Sequence, residues 1–190
     1  MSEKVNTVYE KVELCYRQIR TKVTFLPKVA IVLGSGLGAL ADVIQVVDTV
    51  DYADIEGFPV STVDGHKGRF VFGYIEETPV VIMQGRVHFY EGYDISDVVL
   101  PIRVMRKLGA DILFLTNSAG GLNTMYRPGD FMMITDHISS FMPSPLIGEN
   151  VDEWGVRFPS MENIYDASLC EFIRQAARER NVLLREGIYV

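Results

Sequence analysis

VAIVLGSGLGALAD, residues 29–42, joins an apolar run to a helical pattern through a glycine-rich turn. The five apolar residues 29–33 are typical of a short strand that is buried on both faces of a sheet. After them, Gly34, Gly36 and Ala39 fit the pattern G-x-G-x-x-A that marks dinucleotide-binding turns. A strand, a glycine turn and a helix in this order predict an α/β fold, and they raise the question of what the turn holds.

The turn by itself leaves three interpretations open. Asp51 and Asp54 lie near the spacing expected for an acidic contact to the ribose of a dinucleotide. Gly38 and Ser35 favour a second interpretation, because backbone N–H groups and a hydroxyl at a helix start can cradle a single phosphate. In the third interpretation the turn binds nothing, and its glycines only provide unusual backbone angles.

Composition narrows the classes of protein. The chain has 190 residues, 48% of them hydrophobic and 23% charged, as expected for one packed domain over residues 1–190. A net charge of −7 argues against a nucleic-acid partner, because nucleic-acid surfaces need clustered Lys and Arg. The charged N-terminus has no signal-peptide core, and no apolar stretch is long enough to span a membrane. Cys15 and Cys170 have no metal or redox spacing, so we expect reduced thiols in a cytoplasmic protein.

Strands and helices alternate along the chain. We expect helices at residues 5–23, 37–44, 96–108 and 166–181, the first capped by Thr7 and Glu10 and the third starting late because of Pro101. We expect strands at residues 29–33, 46–55, 69–75, 79–83, 111–116 and 130–138, and a last one that opens at 187–190. Residues 141–165 have no clear period and are expected to form a long functional loop. No helix follows the last strand, so we expect a fold that is truncated at its C-terminus.

The stretch QGRVHFYEGY, residues 84–93, favours an anion site. Arg86 and His88 are two residues apart, so in an extended segment they share one side, where a guanidinium and an imidazole can clamp an anion. Tyr90 continues the alternation, and Glu91 can orient the basic groups. The alternative is a surface hairpin with scattered charges.

The other two histidines differ in their surroundings. His66 lies between glycines in the polar turn DGHKGR, residues 64–69, where a core histidine is not expected. His137 lies within an apolar strand pattern and is interpreted as a core histidine with a hydrogen-bonded ring.

Five motifs, GSGLG, GHKG, QGRVHFYEGY, TNSAGGL and RFP, occur in this order and at sensible spacings. Together they resemble the signatures of the trimeric class of purine nucleoside phosphorylases, from about Lys28 to Val190. The resemblance implies an α/β fold with a mixed, partly barrel-like central β-sheet flanked by helices, assembled as a homotrimer.

The resemblance also implies roles for individual residues. Phosphate would be held by Ser35, His66, Arg86, His88 and the backbone N–H of Ser118, where alanine is common in the family. The ribose would contact Tyr90 and, from a neighbouring subunit, Phe158. The nucleoside cleft would be lined by Asn117, Ala119 and Gly120. Arg86 and His88 would be the catalytic residues, and neither a metal nor an organic cofactor would be needed.

By resemblance, the chemistry is a reversible pentosyl transfer of nucleoside metabolism and purine salvage. Inorganic phosphate would attack the anomeric carbon of inosine, guanosine or their deoxy forms, giving the free base and (deoxy)ribose 1-phosphate. An arginine, histidines and backbone donors suit this task because they fix an anion beside an oxocarbenium-like sugar. In the family, the Glu and Asn that engage the purine lie on later segments. We therefore expect the isolated chain to be inactive, and the purine specificity to be set elsewhere.

Three alternatives to this interpretation stay open, of which the first is the nearest enzymatic one. A methylthioadenosine phosphorylase has a related fold and the same phosphate chemistry. A non-catalytic phosphate-binding or structural fragment would keep the pocket or only the fold. A dinucleotide-dependent oxidoreductase would use the glycine turn but leaves residues 84–93 unexplained.

Overall fold

The computed structural model describes residues 7–61 and 67–190. The chain forms two compact units, of which the first ends at Ser118 and the second begins at Ala119. The expectation of one domain over residues 1–190 stays a prediction. In the part of the chain that the structure describes, no helix combines the length and the apolar character that a membrane crossing requires.

The first unit is built on a mixed five-stranded sheet. Its strands are β1 (Val29–Val32), β2 (Gln45–Asp51), β3 (Arg69–Ile75), β4 (Thr78–Gln84) and β5 (Ile112–Leu115). Their order across the sheet is β2-β3-β4-β1-β5. The strand β1 runs parallel to β4 and to β5, whereas β2, β3 and β4 pair in antiparallel fashion. The predicted mixed α/β sheet is therefore confirmed, while its partly barrel-like curvature stays a prediction.

Both faces of the sheet are buried at β1, as the apolar run of this strand predicts. Its side chains alternate between two core clusters: Ala30 and Val32 lie in one, and Ile31 lies with Leu33 in the other. The first cluster takes buried residues from the helices α1 (Val8–Lys22) and α3 (Ile95–Lys107), and the second contains Ala41 of the short helix α2 (Leu40–Val43). The helices thus flank the sheet.

The predicted start of α1 is confirmed. The backbone N–H of Glu10 donates to the Thr7 hydroxyl at 3.1 Å, and the Glu10 carboxylate accepts from the Thr7 backbone N–H at 3.0 Å. This reciprocal pair satisfies two donors that the first helical turn would otherwise leave open. The same helix buries Cys15, and burial raises the pKa of its thiol to about 11. Cys15 and Cys170 are both free thiols, as expected.

The prediction that α3 starts late is wrong. The helix begins at Ile95 and continues through Pro101, which is buried within it. A proline inside a helix removes one backbone hydrogen bond. The buried neighbours Leu100 and Val104 hold this segment against the core, so packing outweighs the lost bond.

The prediction that β5 is a buried strand is also wrong. Leu113 and Phe114 are each 43% exposed, and Leu115 is 60% exposed. The strand lies at the end of the strand order, where it has one neighbour, β1, instead of two. An apolar sequence therefore predicts a strand here but not its burial.

The second unit contains the parallel pair β6 (Phe131–His137) and β7 (Leu184–Tyr189) and the helix α4 (Ala167–Glu179). The carboxylate of Asp166 caps α4 by accepting from the backbone N–H groups of Ser168 and Leu169. The predicted long loop is irregular except for a short 3₁₀ turn at Asp152–Trp154. The interpretation of His137 as a core residue is wrong, because it is partly exposed, but its ring is hydrogen-bonded as expected: Nδ1 lies 3.2 Å from the Tyr165 hydroxyl. A strand in a two-stranded sheet has too little cover to bury the ring fully.

Candidate functional site

Three chain segments meet where the parallel strands of the first unit's sheet end. The pairing of β1 with β4 and with β5 is parallel and in register, with Val32 opposite Met83 on one side and Leu115 on the other. The segments that leave these strands therefore start side by side. They are the glycine turn after β1, the stretch from Gly85 after β4, and the stretch from Thr116 after β5.

Thr116 holds the start of the glycine turn. The backbone N–H of Gly34 donates to the Thr116 hydroxyl at 2.8 Å, and that hydroxyl donates to the carbonyl of Val32 at 2.9 Å. The chains approach so closely that a Cβ on Gly34 would lie 2.7 Å from the Cα of Asn117. Gly36 has a φ of +86°, a conformation that L side chains rarely adopt. Close approach and backbone angle thus explain two of the glycines without a ligand.

Arg86 lies beside this turn. Its guanidinium donates to the carbonyl of Thr116 at 3.0 Å, and its Nε lies 3.5 Å from the Nε2 of His88. The predicted sharing of one side by Arg86 and His88 is confirmed. Because Thr116 contacts both Arg86 and Gly34, it connects the basic pair to the turn.

Glu91 orients His88, as the sequence predicts. One oxygen of the Glu91 carboxylate lies 2.8 Å from the imidazole Nδ1 and also accepts from the His88 backbone N–H at 2.8 Å. The other oxygen accepts from the Ser61 hydroxyl at 3.2 Å. The carboxylate is only 3% exposed, so it fixes the imidazole from the protein side and leaves Nε2 towards Arg86.

Tyr90 lies beside His88, but the backbone conformation that places it there differs from the predicted one. Strand-like alternation ends at His88, because Phe89–Glu91 form a 3₁₀ turn. That turn nevertheless stacks the Tyr90 ring on the imidazole, with 4.7 Å between ring centroids and 15° between planes. Tyr90 remains exposed, so one face of its ring is open to a ligand.

Sequence reasoning missed Gln84 as well as Thr116. Gln84 is 3% exposed, its amide donates to the carbonyl of Gly38 at 2.7 Å, and its carbonyl accepts from Arg69 at 2.8 Å. The available signal was a polar residue that closes each of two apolar strands, in PVVIMQ and in DILFLT.

An ion pair also lies beside the glycine turn. Asp42 follows the turn and binds Lys67 at 2.8 Å, and this contact lowers the pKa of the Asp42 carboxyl. Within residues 7–61 and 67–190, no cluster of three or more His, Cys, Asp or Glu side chains could hold a metal ion. The arrangement can fix an anion through the Arg86 fork, the imidazole and the turn's N–H groups and hydroxyl.

The other residues that the sequence predicts for the site are not all placed beside Arg86 and His88. His66 lies outside the described residues. Asn117 and Ser118 follow Thr116 and end the first unit, with Asn117 packed against Gly34. The others, Ala119, Gly120 and Phe158, belong to the second unit. Phe158 is 87% exposed, and the guanidinium of Arg157 lies 5.8 Å from its ring centroid.

Comparison with known proteins gives consistent matches. A family model described as "Phosphorylase superfamily" matches residues 28–190. A Bacillus subtilis protein named purine nucleoside phosphorylase 1 is 45% identical over 180 residues, which cover 95% of this chain and 66% of that protein. The chain thus spans just under two thirds of this relative's length.

Solved structures extend the match to the fold. The Schistosoma mansoni purine nucleoside phosphorylase in complex with inosine is 39% identical, with a TM-score of 0.90 over 98% of this chain and 68% of that one. An isoform 2 from the same organism, in complex with cytosine and ribose-1-phosphate, is 40% identical, with a TM-score of 0.87 over 95% and 65%.

The close approach at Gly34 generates a stability prediction. We expect Gly34→Ala to lower the free energy of unfolding by about 1–3 kcal/mol, because its Cβ overlaps the backbone at Asn117. Gly38→Ala is the matched control, since the space around Gly38 is open. Urea unfolding followed by circular dichroism measures both. Equal stability of the two variants would contradict the account of the turn.

Proposed function

This chain belongs to the phosphorylase superfamily, and we propose that it forms the phosphate- and ribose-binding part of a purine nucleoside phosphorylase. The proposed reaction is the reversible phosphorolysis of purine ribonucleosides and deoxyribonucleosides such as inosine and guanosine. The observation that carries the proposal is the placement of Arg86 and His88 beside the glycine turn of β1, with Thr116 bonded to both Arg86 and Gly34.

In this proposal the basic pair fixes the phosphate. The Arg86 fork would bind its oxygens, as would the His88 Nε2 once it carries a proton and donates to phosphate in place of its contact with Arg86. Ser35 with the turn's N–H groups would bind it from the other side. Ser118, through its backbone N–H, and His66 are proposed as further phosphate contacts. Donors that are already in position when the phosphate binds can stabilise the charge that develops during the reaction without first having to reorganise.

The bond changes follow from the position of the phosphate. A phosphate oxygen would form a bond to the anomeric carbon while the bond from that carbon to the purine nitrogen breaks. The bonding pair leaves with the purine, which takes up a proton while hydrogenphosphate gives one up, and the products are the free base and (deoxy)ribose 1-phosphate. Tyr90, stacked on His88, would contact the ribose, and Asn117, Ala119 and Gly120 would line the nucleoside cleft. Phosphate serves as co-substrate, and the proposed reaction uses no cofactor.

The matched relatives support the purine nucleoside over methylthioadenosine as substrate. They carry the name purine nucleoside phosphorylase, and one of them was solved with inosine. The same names disfavour a dinucleotide-dependent oxidoreductase.

Arg86 provides the test of the proposed reaction. In a full-length enzyme that contains this chain, we expect Arg86→Ala to raise the KM for phosphate at least about tenfold, because a charge-assisted contact is lost. The KM for inosine should change less. Arg178→Ala is the control, since Arg178 is an exposed residue of α4 that pairs with Glu171. Hypoxanthine release from inosine is the measurement, and unchanged phosphate kinetics in Arg86→Ala would refute the assignment.

We also propose that the full-length protein is a cytoplasmic homotrimer. Phe158 exposes 87% of its surface in a long irregular loop, and a large apolar ring in water favours burial at an interface. In the proposal it closes the ribose site of a neighbouring subunit.

The trimer predicts two results that must agree. Light scattering of the full-length protein should give three times the subunit mass. Phe158→Ala should raise the KM for inosine more than the KM for phosphate, because it removes the ribose contact. Phe172→Ala, an exposed ring on α4, is the matched control. A fully active monomer would contradict both the assembly and the shared site.

The 190 residues alone are proposed to lack most of the activity. The departing purine needs a donor to its developing negative charge, and such help contributes roughly 10²–10⁴ in rate. None of the residues assigned here supplies that donor. We expect the isolated chain to release hypoxanthine from inosine at least about 100-fold more slowly than a full-length phosphorylase does. Turnover near the full-length rate would show that the base site is complete within these residues.

A further inference from the structure

We propose that Thr116 and Gln84 are positioning residues that hold the two ends of the glycine turn at the phosphate site. This inference rests on the proposed phosphorolysis, and it assigns neither residue a contact with phosphate or nucleoside. Both side chains are polar, both close an apolar strand next to β1, and each is bonded to the backbone of the turn.

Thr116 fixes the first end of the turn. Its hydroxyl accepts from the Gly34 N–H and donates to the Val32 carbonyl, so both capacities of the hydroxyl are used on the backbone of β1 and its exit. Its own backbone N–H donates to Val32 at 3.0 Å, and its carbonyl accepts from Arg86. One residue therefore sets the distance between the turn and the guanidinium.

Gln84 fixes the second end of the turn. Arg69 has donors only, so the Gln84 oxygen must face it, and the Gln84 nitrogen must point the other way, at the Gly38 carbonyl. The amide is 3% exposed, and a buried amide without partners is costly. These two contacts therefore determine which of the two flipped orientations the Gln84 amide adopts.

The turn between these ends needs such support. Ser35, Gly36 and Leu37 are exposed, and bonds of the type Leu37 N–H to Gly34 carbonyl keep the turn's local shape but do not tie it to the sheet. A ligand that binds to a loose turn must order it first, and this cost lowers the affinity. The two side chains from β4 and from the exit of β5 remove that cost by holding the turn before phosphate arrives.

The test uses the full-length enzyme and two hydroxyl variants. Thr116→Val keeps the shape of the side chain and removes the hydroxyl, so the Gly34 N–H loses its acceptor. We expect the KM for phosphate to rise about tenfold, with the KM for inosine changed less than about threefold. Thr116→Ser restores the hydroxyl and should bring the KM for phosphate back to within about twofold of wild type.

A matched control separates positioning from stability. Thr135→Val, on β6, also removes a hydroxyl that donates to a backbone carbonyl, that of Gly187, and should leave the KM for phosphate unchanged. Gln84→Met tests the other end of the turn and should also raise the KM for phosphate. Where Thr116→Val fails to fold, the comparison of Thr116→Ser with Gln84→Met decides.

The outcomes are distinguishable. Lower melting temperatures with an unchanged KM for phosphate in Thr116→Val and Gln84→Met would overturn the inference and leave the proposed function standing. Equal rises in both KM values would also overturn it. A wild-type enzyme that releases no hypoxanthine in a phosphate-dependent way would refute the proposed function, and the inference would fail with it.

Discussion

The parallel pairing of β1 with β4 on one side and β5 on the other is the constraint on which the site depends. The register puts Val32 opposite Met83 and Leu115, so the three strands end at the same level. The segments that follow these strands carry different groups: a glycine turn after β1, an Arg-x-His segment after β4 and a threonine after β5. Ligand sites of open α/β sheets lie at such carboxyl edges, because the exiting backbone presents its groups there.

Contacts on the protein side hold Arg86 and His88 in the positions from which they would bind an anion. The buried carboxylate of Glu91 holds the imidazole of His88 by its Nδ1, and the Thr116 carbonyl holds the guanidinium of Arg86. Both contacts come from the protein side, and the Nε of Arg86 also faces the Nε2 of His88. In a protein of net charge −7, the proposed phosphate binding would depend on this local arrangement rather than on the overall charge.

The sequence predicts those features that depend on neighbouring residues. The capping box of Thr7 and Glu10, the strand at β1 and the common side of Arg86 and His88 all follow from short spacings. Burial does not follow from local sequence, so the apolar residues of β5 predict a strand but not its exposure. Local sequence also fails at α3, which continues through Pro101 because packing against the core outweighs the lost backbone hydrogen bond.

The bonds that hold the turn are the clearest case of what local sequence cannot predict. Thr116 and Gly34 are 82 residues apart, and Gln84 and Gly38 are 46 apart. These pairs form only once the strand order is known. The order of five motifs indicates a family resemblance, but the contacts between the motifs arise from the topology of the sheet.

A crystal structure of the chain grown with inorganic phosphate tests the central claim most directly. The account predicts tetrahedral density within hydrogen-bond distance of the Ser35 hydroxyl, the Arg86 guanidinium and the His88 Nε2, with the turn at Gly34 in the conformation described here. An anion-free pocket at saturating phosphate, or a phosphate bound away from Arg86 and His88, would contradict it.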